Sequence, residues 1–240
     1  MIFSLEKLQY VQKITPSPLP RQVTYPSNPH LVELKDRGKG KILCIVGNGP
    51  SHKLADLPQL LGKVDFLCVN KPDERIYPPE YWVIFDKDQI DANRDKWDDY
   101  QGFKIGLGNT VSRYKCSIIG GLGFATDIST GLYMGFSSVY ASMQIGIYMG
   151  YEKIFIFGLD MSAIGGKLYE WGSNPFVKDN ERLKRFENEA KSYDYAADNL
   201  SSEVLSKFTL CSQFNPFPFV QKYRSIKYEE AICELSMSNS

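Results

Sequence analysis

Residues Lys41 to Lys53 read KILCIVGNGPSHK. Ile42 to Val46 is an apolar run with no polar alternation, the pattern of a strand buried on both faces of a sheet. Gly47-Asn48-Gly49-Pro50-Ser51 then interrupts it, and Leu54, Leu57, Leu60 and Leu61 follow at helical spacing. The stretch therefore predicts a strand, a glycine turn and the start of a helix. Unpaired N–H groups and the positive end of a helix dipole would converge above the strand and attract phosphate. Gly47 and Gly49 permit close backbone approach and positive φ. Pro50 suits a turn or a first helical turn, and Ser51 suits an N-cap. A bare Gly-x-Gly fits an ordinary tight turn equally well, so the rest of the chain has to decide.

The remaining segments repeat the same grammar. Val64–Asn70 and Tyr81–Asp86 read as buried strands with polar last residues, Asp88–Asp99 as a surface helix, and Lys104–Leu107 as a short strand. Ser117–Phe124 is glycine-rich and apolar, a strand leading to a binding loop. Ser137 to Gly150 is the clearest helix, with small residues Ala141, Ser142 and Gly146 for close packing and Gly150 as its C′ residue. Glu152–Asp160 is a further buried strand ending in Gly158-Leu159-Asp160. Strand, helix and strand with buried apolar strands predicts an α/β fold, a doubly wound, mostly parallel, Rossmann-like sheet. Asn48, Asn70, Asp86 and Asp160 all fall at carboxyl ends of strands, where such sheets bind ligands.

Residues 161–185 have little periodicity and several glycines, and read as a lid. A long charged helix is expected over Glu181–Leu205, a late strand over Lys207–Cys211, and an amphipathic piece over Tyr228–Leu235. Residues 1–40, with a short amphipathic stretch at Phe3–Val11 and then many prolines, read as an arm packed on the main domain or on a neighbouring subunit. Residues 41–240 form the main domain.

Composition narrows the function classes. Lys+Arg and Asp+Glu both number 28, so no basic excess favours nucleic acid or a membrane surface. The five cysteines include no CxxC pair, and Cys44, Cys68 and Cys211 lie in apolar runs, which points to reduced core thiols rather than a zinc site. No stretch has a signal peptide's apolar region or transmembrane length, so the expectation is a cytoplasmic protein.

Four motifs stand in a recognisable order: GNGPS at Gly47–Ser51, CVN at Cys68–Asn70, SSVYASMQIGIYMGYEKIFIFGLD at Ser137–Asp160, and LCSQFNP at Leu210–Pro216. Together they resemble the bacterial sialyltransferases that decorate lipooligosaccharide, and the wider group around them, which includes an archaeal pterin pyrophosphokinase branch. The resemblance implies a Rossmann-like glycosyltransferase domain with a lid, using a CMP-linked nucleotide sugar and a saccharide acceptor without a metal or resident cofactor. It implies that Asn48, Gly49 and Ser51 hold donor phosphate or ribose and that Asn70 binds near the phosphate. Ser137 and Ser138 would contact the nucleotide, Gly158 and Asp160 its ribose or base, and Tyr169 the departing phosphate. The resembled enzymes are often oligomers, which would suit the arm as a homo-oligomer contact.

Two departures bear on chemistry. Asp86 replaces an asparagine of those enzymes at the donor site, adding negative charge there. Their general-base histidine follows the lid, whereas the histidines of this chain are His30 and His52. Glu187 or Glu189 lies near that position and could accept a proton, although solvated carboxylates on a charged helix read the same way. His52 suits either phosphate binding or a surface cap of the turn. The leading expectation is a glycosyltransferase. The alternatives are a pyrophosphokinase-like enzyme with Asp86 and Asp160 on a divalent cation, and a relative that lost its chemistry.

Overall fold

A computed structural model describes residues 29–108, 112–170 and 179–237. The predicted helical stretch at Phe3–Val11 lies outside them. The strands in chain order begin with β1 (Ile42–Val46), β2 (Asp65–Val69), β3 (Tyr81–Val83), β4 (Phe103–Leu107) and β5 (Tyr114–Cys116). Short β6 (Ile118–Ile119) and β7 (Leu132–Tyr133) pair apart from the rest, and β8 (Lys153–Phe157), β9 (Phe208–Cys211) and β10 (Arg224–Ser225) follow. Helices α1 (Lys87–Ala92) and α2 (Arg94–Asp99) lie between β3 and β4, and α3 (Ser138–Tyr148) precedes β8. Helices α4 (Asp179–Asn199) and α5 (Ser202–Leu205) precede β9, and α6 (Tyr228–Met237) comes last.

The main sheet has the order β10-β9-β8-β1-β2-β3-β4-β5, and every neighbouring pair is parallel. From β1 the chain winds outward to β5, then returns through α3 to place β8 on the other flank of β1. The winding direction reverses between β1 and β8, which creates a crevice at the carboxyl ends of those two strands.

Burial explains the unbroken apolar strands. Along β1, Leu43 and Ile45 join the core beneath α3, while Cys44 and Val46 join the opposite core with Leu57, Leu60, Tyr228 and Leu235. Gly146 lets α3 approach the sheet closely: a Cβ there would stand 2.8 Å from Ile154 Cδ1 and 3.0 Å from Leu43 Cδ2. Cys44, Cys68, Cys116 and Cys211 are buried free thiols, pushed upward in pKa by desolvation, while Cys233 is exposed and free.

Two expectations need correction. No α-helix follows β1; two 3-10 turns do, Pro50–Leu54 and Leu57–Leu60. Leu57 and Leu60 are buried, but Leu54 and Leu61 are exposed. The leucine spacing suits a helix, yet Pro58 offers no N–H and its ring would clash with the carbonyl four residues earlier. The helix expected over Glu181–Leu205 is α4 and α5, separated at Leu200-Ser201, where Ser201 Oγ restarts the chain by accepting from Val204 N–H. Residues 29–40, the described end of the predicted arm, pack on the main domain: Leu31 and Leu34 are buried in the main core, and Lys39 bridges to Tyr151.

Of the predicted lid, residues 171–178 lie outside the described residues and 179–185 belong to α4. Its first part folds over an Ile164–Lys167 bridge, and Leu168 and Tyr169 are buried. Glu170 N–H donates to Asn48 O at 3.0 Å, so this part is tied to the β1 turn.

Candidate functional site

The turns after β1 and β8 touch backbone to backbone. Gly47 N–H donates to Phe157 O at 2.8 Å and Gly49 N–H to Gly158 O at 3.0 Å. Close approach, rather than positive φ, is what Gly49 supplies. Its φ is −63°, and a Cβ there would lie 2.6 Å from Gly158 O and 2.5 Å from Asp160 Oδ2.

The Asp160 carboxylate fills the bend. Its Oδ2 accepts from Ser51 N–H at 2.9 Å, and its Oδ1 accepts from Ser51 Oγ. Because that serine spends its single proton on the carboxylate, Tyr228 OH is the donor in its contact with Ser51 Oγ. Burial pushes the Asp160 carboxyl up in pKa, against the Ser51 hydrogen bonds. The N–H groups of Gly47, Gly49 and Ser51 are therefore committed to protein acceptors, and no α-helix starts after β1 to supply the dipole of the expected phosphate seat. With both oxygens bound to Ser51, Asp160 is also a poor metal ligand. Among the described residues no cluster of His, Cys, Asp and Glu suits a metal.

His52 is likewise not on the surface. It is 1% exposed, and its Nδ1 donates to Gly49 O at 2.7 Å. Nε2 faces Asp73 Oδ2 at 3.4 Å and Glu170 Oε2 at 3.6 Å. Lys53 Nζ joins the same two carboxylates at 3.0 and 3.1 Å, and Arg75 grips Asp73 from a third side at 2.7 Å. Burial alone would raise the Asp73 carboxyl, but hydrogen bonds from His52, Arg75 and Lys53 outweigh it and hold the group well below its ordinary range. This network braces the β1 turn and the base of the lid from behind.

A cleft of about 340 Å³ opens above the crevice. Helix α3 enters it with its amino end, Ser137 standing at the N-cap position with no side-chain cap. The first N–H groups of that helix and its dipole make an anion seat. A Cβ on Gly47 would meet Val139 Cγ2 at 3.0 Å, so this helix end lies directly beside the β1 turn. The opposite wall is α4, whose Arg182, Arg185, Phe186 and Glu189 line the cleft at the spacing of one helix face. Tyr193, one turn beyond Glu189, meets Ser137 Oγ at 3.2 Å and joins the two helices.

Glu189 is 1% exposed and burial lifts its carboxyl to about 7, against the pull of Arg182 and Arg185. Arg182 approaches it at 2.8 Å, but Glu189 Oε1 and Arg182 Nε have no hydrogen-bond partner of good geometry among the described residues. The Arg182 guanidinium also lies 5.5 Å from the Tyr169 ring centre and 4.8 Å from that of Phe186.

Asn48, Gly49, Asn70, Asp86, Ser137, Ser138, Gly158, Asp160, Tyr169 and Glu189 all border this cleft. Ser51 does not; it is buried behind the turn. Glu187 is exposed on α4 and also lies off the cleft. Asn48 Nδ2 donates to Lys71 O at 2.8 Å, and Asn48 Oδ1 and Asn70 Oδ1 are buried without partners among the described residues. Strain gathers here too: of the non-glycine residues with positive φ, Asn70 (55°), Phe136 (60°) and Met161 (50°) all line the cleft. The sequence reading missed the cations Lys87, Arg182 and Arg185. The one-face spacing of the arginines with Phe186 and Glu189 was the available signal.

No protein-family model and no curated protein matches the chain. Among solved structures, the fold is similar to the MAf glycosyltransferase from Magnetospirillum magneticum AMB-1, with a TM-score of 0.50 at 11% identity. The match covers 87% of this chain but 40% of that one, so the chain spans less than half of that enzyme's length. A weaker likeness, TM-score 0.43 at 13% identity, is to the sialyltransferase CstII from Campylobacter jejuni in complex with cytidine-5'-monophosphate, covering 79% of this chain and 86% of that one. At 11% identity the first likeness establishes the fold alone, a Rossmann-like fold similar to that of the MAf glycosyltransferase. Among the described residues no helix is long and apolar enough to cross a membrane.

Proposed function

We propose that the chain is a glycosyltransferase that passes a sugar from a CMP-linked donor to a saccharide hydroxyl, of the kind found in cell-surface lipopolysaccharide. The observation that carries this reading is the pairing, in one cleft, of an uncapped helix end with a buried carboxylate near neutrality. Donor phosphate would sit at the amino end of α3, facing Ser137 and Ser138, with Arg182 and Arg185 on the other side. Asn48 and Asn70 offer amides for the ribose or phosphate.

In the transfer, the acceptor hydroxyl gives its proton to the Glu189 carboxylate while its oxygen bonds to the anomeric carbon. The anomeric carbon–phosphate oxygen bond breaks, and its electron pair leaves with the nucleotide. The charge appearing on that phosphate would be met by α3 N–H groups, by the two guanidinium groups and by the Tyr169 hydroxyl, a donor set of the kind that stabilises a leaving phosphate. Glu189 thus takes the place of the histidine in the enzymes the sequence resembles, and Glu187 has no part in this scheme. A general base of pKa near the working pH contributes roughly 10²–10⁴ in rate.

Calorimetric titration tests the donor class. CMP should bind saturably with no divalent cation present, and ATP with magnesium should not compete. Binding of ATP with magnesium and none of CMP would replace this reading with the phosphotransferase alternative.

A further inference from the structure

Phe136 stands just before α3 with a φ of 60°, after Gly135 at 54°. These two left-handed residues turn the chain so that Ser137 N–H reaches back to Met134 O at 2.9 Å. The turn requires the left-handed conformation, but nothing in it requires a ring. Glycine or asparagine adopts that conformation with less crowding, and a bulky aromatic residue there is an outlier.

Much of the residue is left in solvent. Phe136 is 52% exposed, and among the described residues it is the one exposed large hydrophobic that also lines the cleft. The other exposed aromatic residues, Tyr195 and Phe214, lie away from it. A strained backbone holding a solvated ring beside an anion seat disfavours the free protein on two counts. Both would be offset by a flat apolar surface laid against the ring.

We infer that Phe136 is the stacking platform for the nucleobase of the donor. The inference rests on the transferase reading above, since the same nucleotide must supply phosphate and base. Ser137, the next residue, stands at the phosphate seat, and one ribose separates phosphate from base in a nucleotide. The ring is thus placed for the base of a molecule whose phosphate sits on α3. Stacking of this kind tolerates different bases, because every base has a π-face. The platform therefore adds affinity for a nucleotide while leaving the choice of base to the neighbouring amides.

The test compares CMP with ribose 5-phosphate, by calorimetry, on the wild type, Phe136→Asn and Phe136→Tyr. Phe136→Asn should weaken CMP about tenfold or more and leave ribose 5-phosphate unchanged. Relief of the left-handed aromatic residue should raise its Tm by about 2–4 °C. Phe136→Tyr should bind both ligands as the wild type does. Equal weakening of both ligands, no weakening of CMP, or a lowered Tm in Phe136→Asn would overturn the platform while leaving the phosphate seat in place. Wild-type binding of ribose 5-phosphate no weaker than that of CMP would also overturn it alone. Failure of both ligands to bind the wild type would remove the platform and the transferase reading together.

Discussion

Substituting Glu189 by glutamine should stabilise the protein in neutral and alkaline solution while disabling it. Burial lifts this carboxyl from an ordinary 4.5 to about 7. In the unfolded chain the group regains its ordinary value. Below about pH 4.5 both states hold the proton, and the group costs nothing. Between there and pH 7 the folded state keeps a proton that the unfolded chain releases, so stability falls as pH rises. Above about pH 7 both states are ionised and the full cost stands, about 3 kcal/mol. For a chain of this length that corresponds to roughly 6–12 °C in Tm.

Glutamine keeps the shape and abolishes the titration. Below about pH 7 the folded wild-type carboxyl is itself neutral beside Arg182, and above it the attraction of Arg182 is already contained in the value of about 7, so the loss of that pair adds no separate slope. The quantity to measure is therefore the Tm difference between variant and wild type, followed by differential scanning fluorimetry from pH 4 to 8.5. It should move in favour of Glu189→Gln across pH 4.5–7 and then level off. Under the transferase reading, turnover should fall by roughly 10²–10⁴ with CMP affinity retained. A Tm difference that does not vary with pH would show that Glu189 is solvated like any surface carboxylate, and the assignment of a buried base would fail.

Three further substitutions probe the scaffold around the cleft. Gly49→Ala drives a methyl group against Gly158 O and the Asp160 carboxylate, and should lower stability by about 1–3 kcal/mol, seen as a lower urea midpoint. Ser51→Ala removes the hydroxyl shared by Asp160 and Tyr228; leaving buried polar groups short of a partner should cost about 1–3 kcal/mol in the same assay. Arg75→Ala strips the main cation from the buried Asp73 carboxylate and should cost about 3 kcal/mol at pH 7. Because the folded state depresses that carboxyl, its contribution is present above the ordinary carboxyl range and is lost as pH falls. The gap between Arg75→Ala and the wild type should therefore narrow below about pH 4.

What the sequence disclosed and what it withheld follow from the range of the interactions. The strands were legible because burial on both faces leaves no polar residue inside Ile42–Val46 or Ile154–Phe157, and that constraint acts residue by residue. The helix at Ser137–Gly150 was legible for the same local reason, its small residues and closing glycine being read directly. The stretch after β1 misled because a leucine count measures periodicity, whereas Pro58 acts on backbone geometry and prevails. Ser51 was misplaced for a different reason: its partners, Asp160 and Tyr228, are 109 and 177 residues away. No local pattern encodes such a pairing.

That last pairing explains why the charge arrangement of the cleft differs from the one expected. A glycine turn with free N–H groups would have been an anion seat in its own right. Here the chain supplies its own anion to that turn, the Asp160 carboxylate, which takes the Ser51 N–H and hydroxyl. An anionic ligand above β1 and β8 must then find its positive partners elsewhere, next to a carboxylate that would otherwise repel it. The amino end of α3, beside the filled bend, and the guanidinium groups of α4 across the cleft are those partners. The arginines and Glu189 share one helix face, so the groups that would hold the leaving phosphate and the group that would take the acceptor's proton move as one rigid unit.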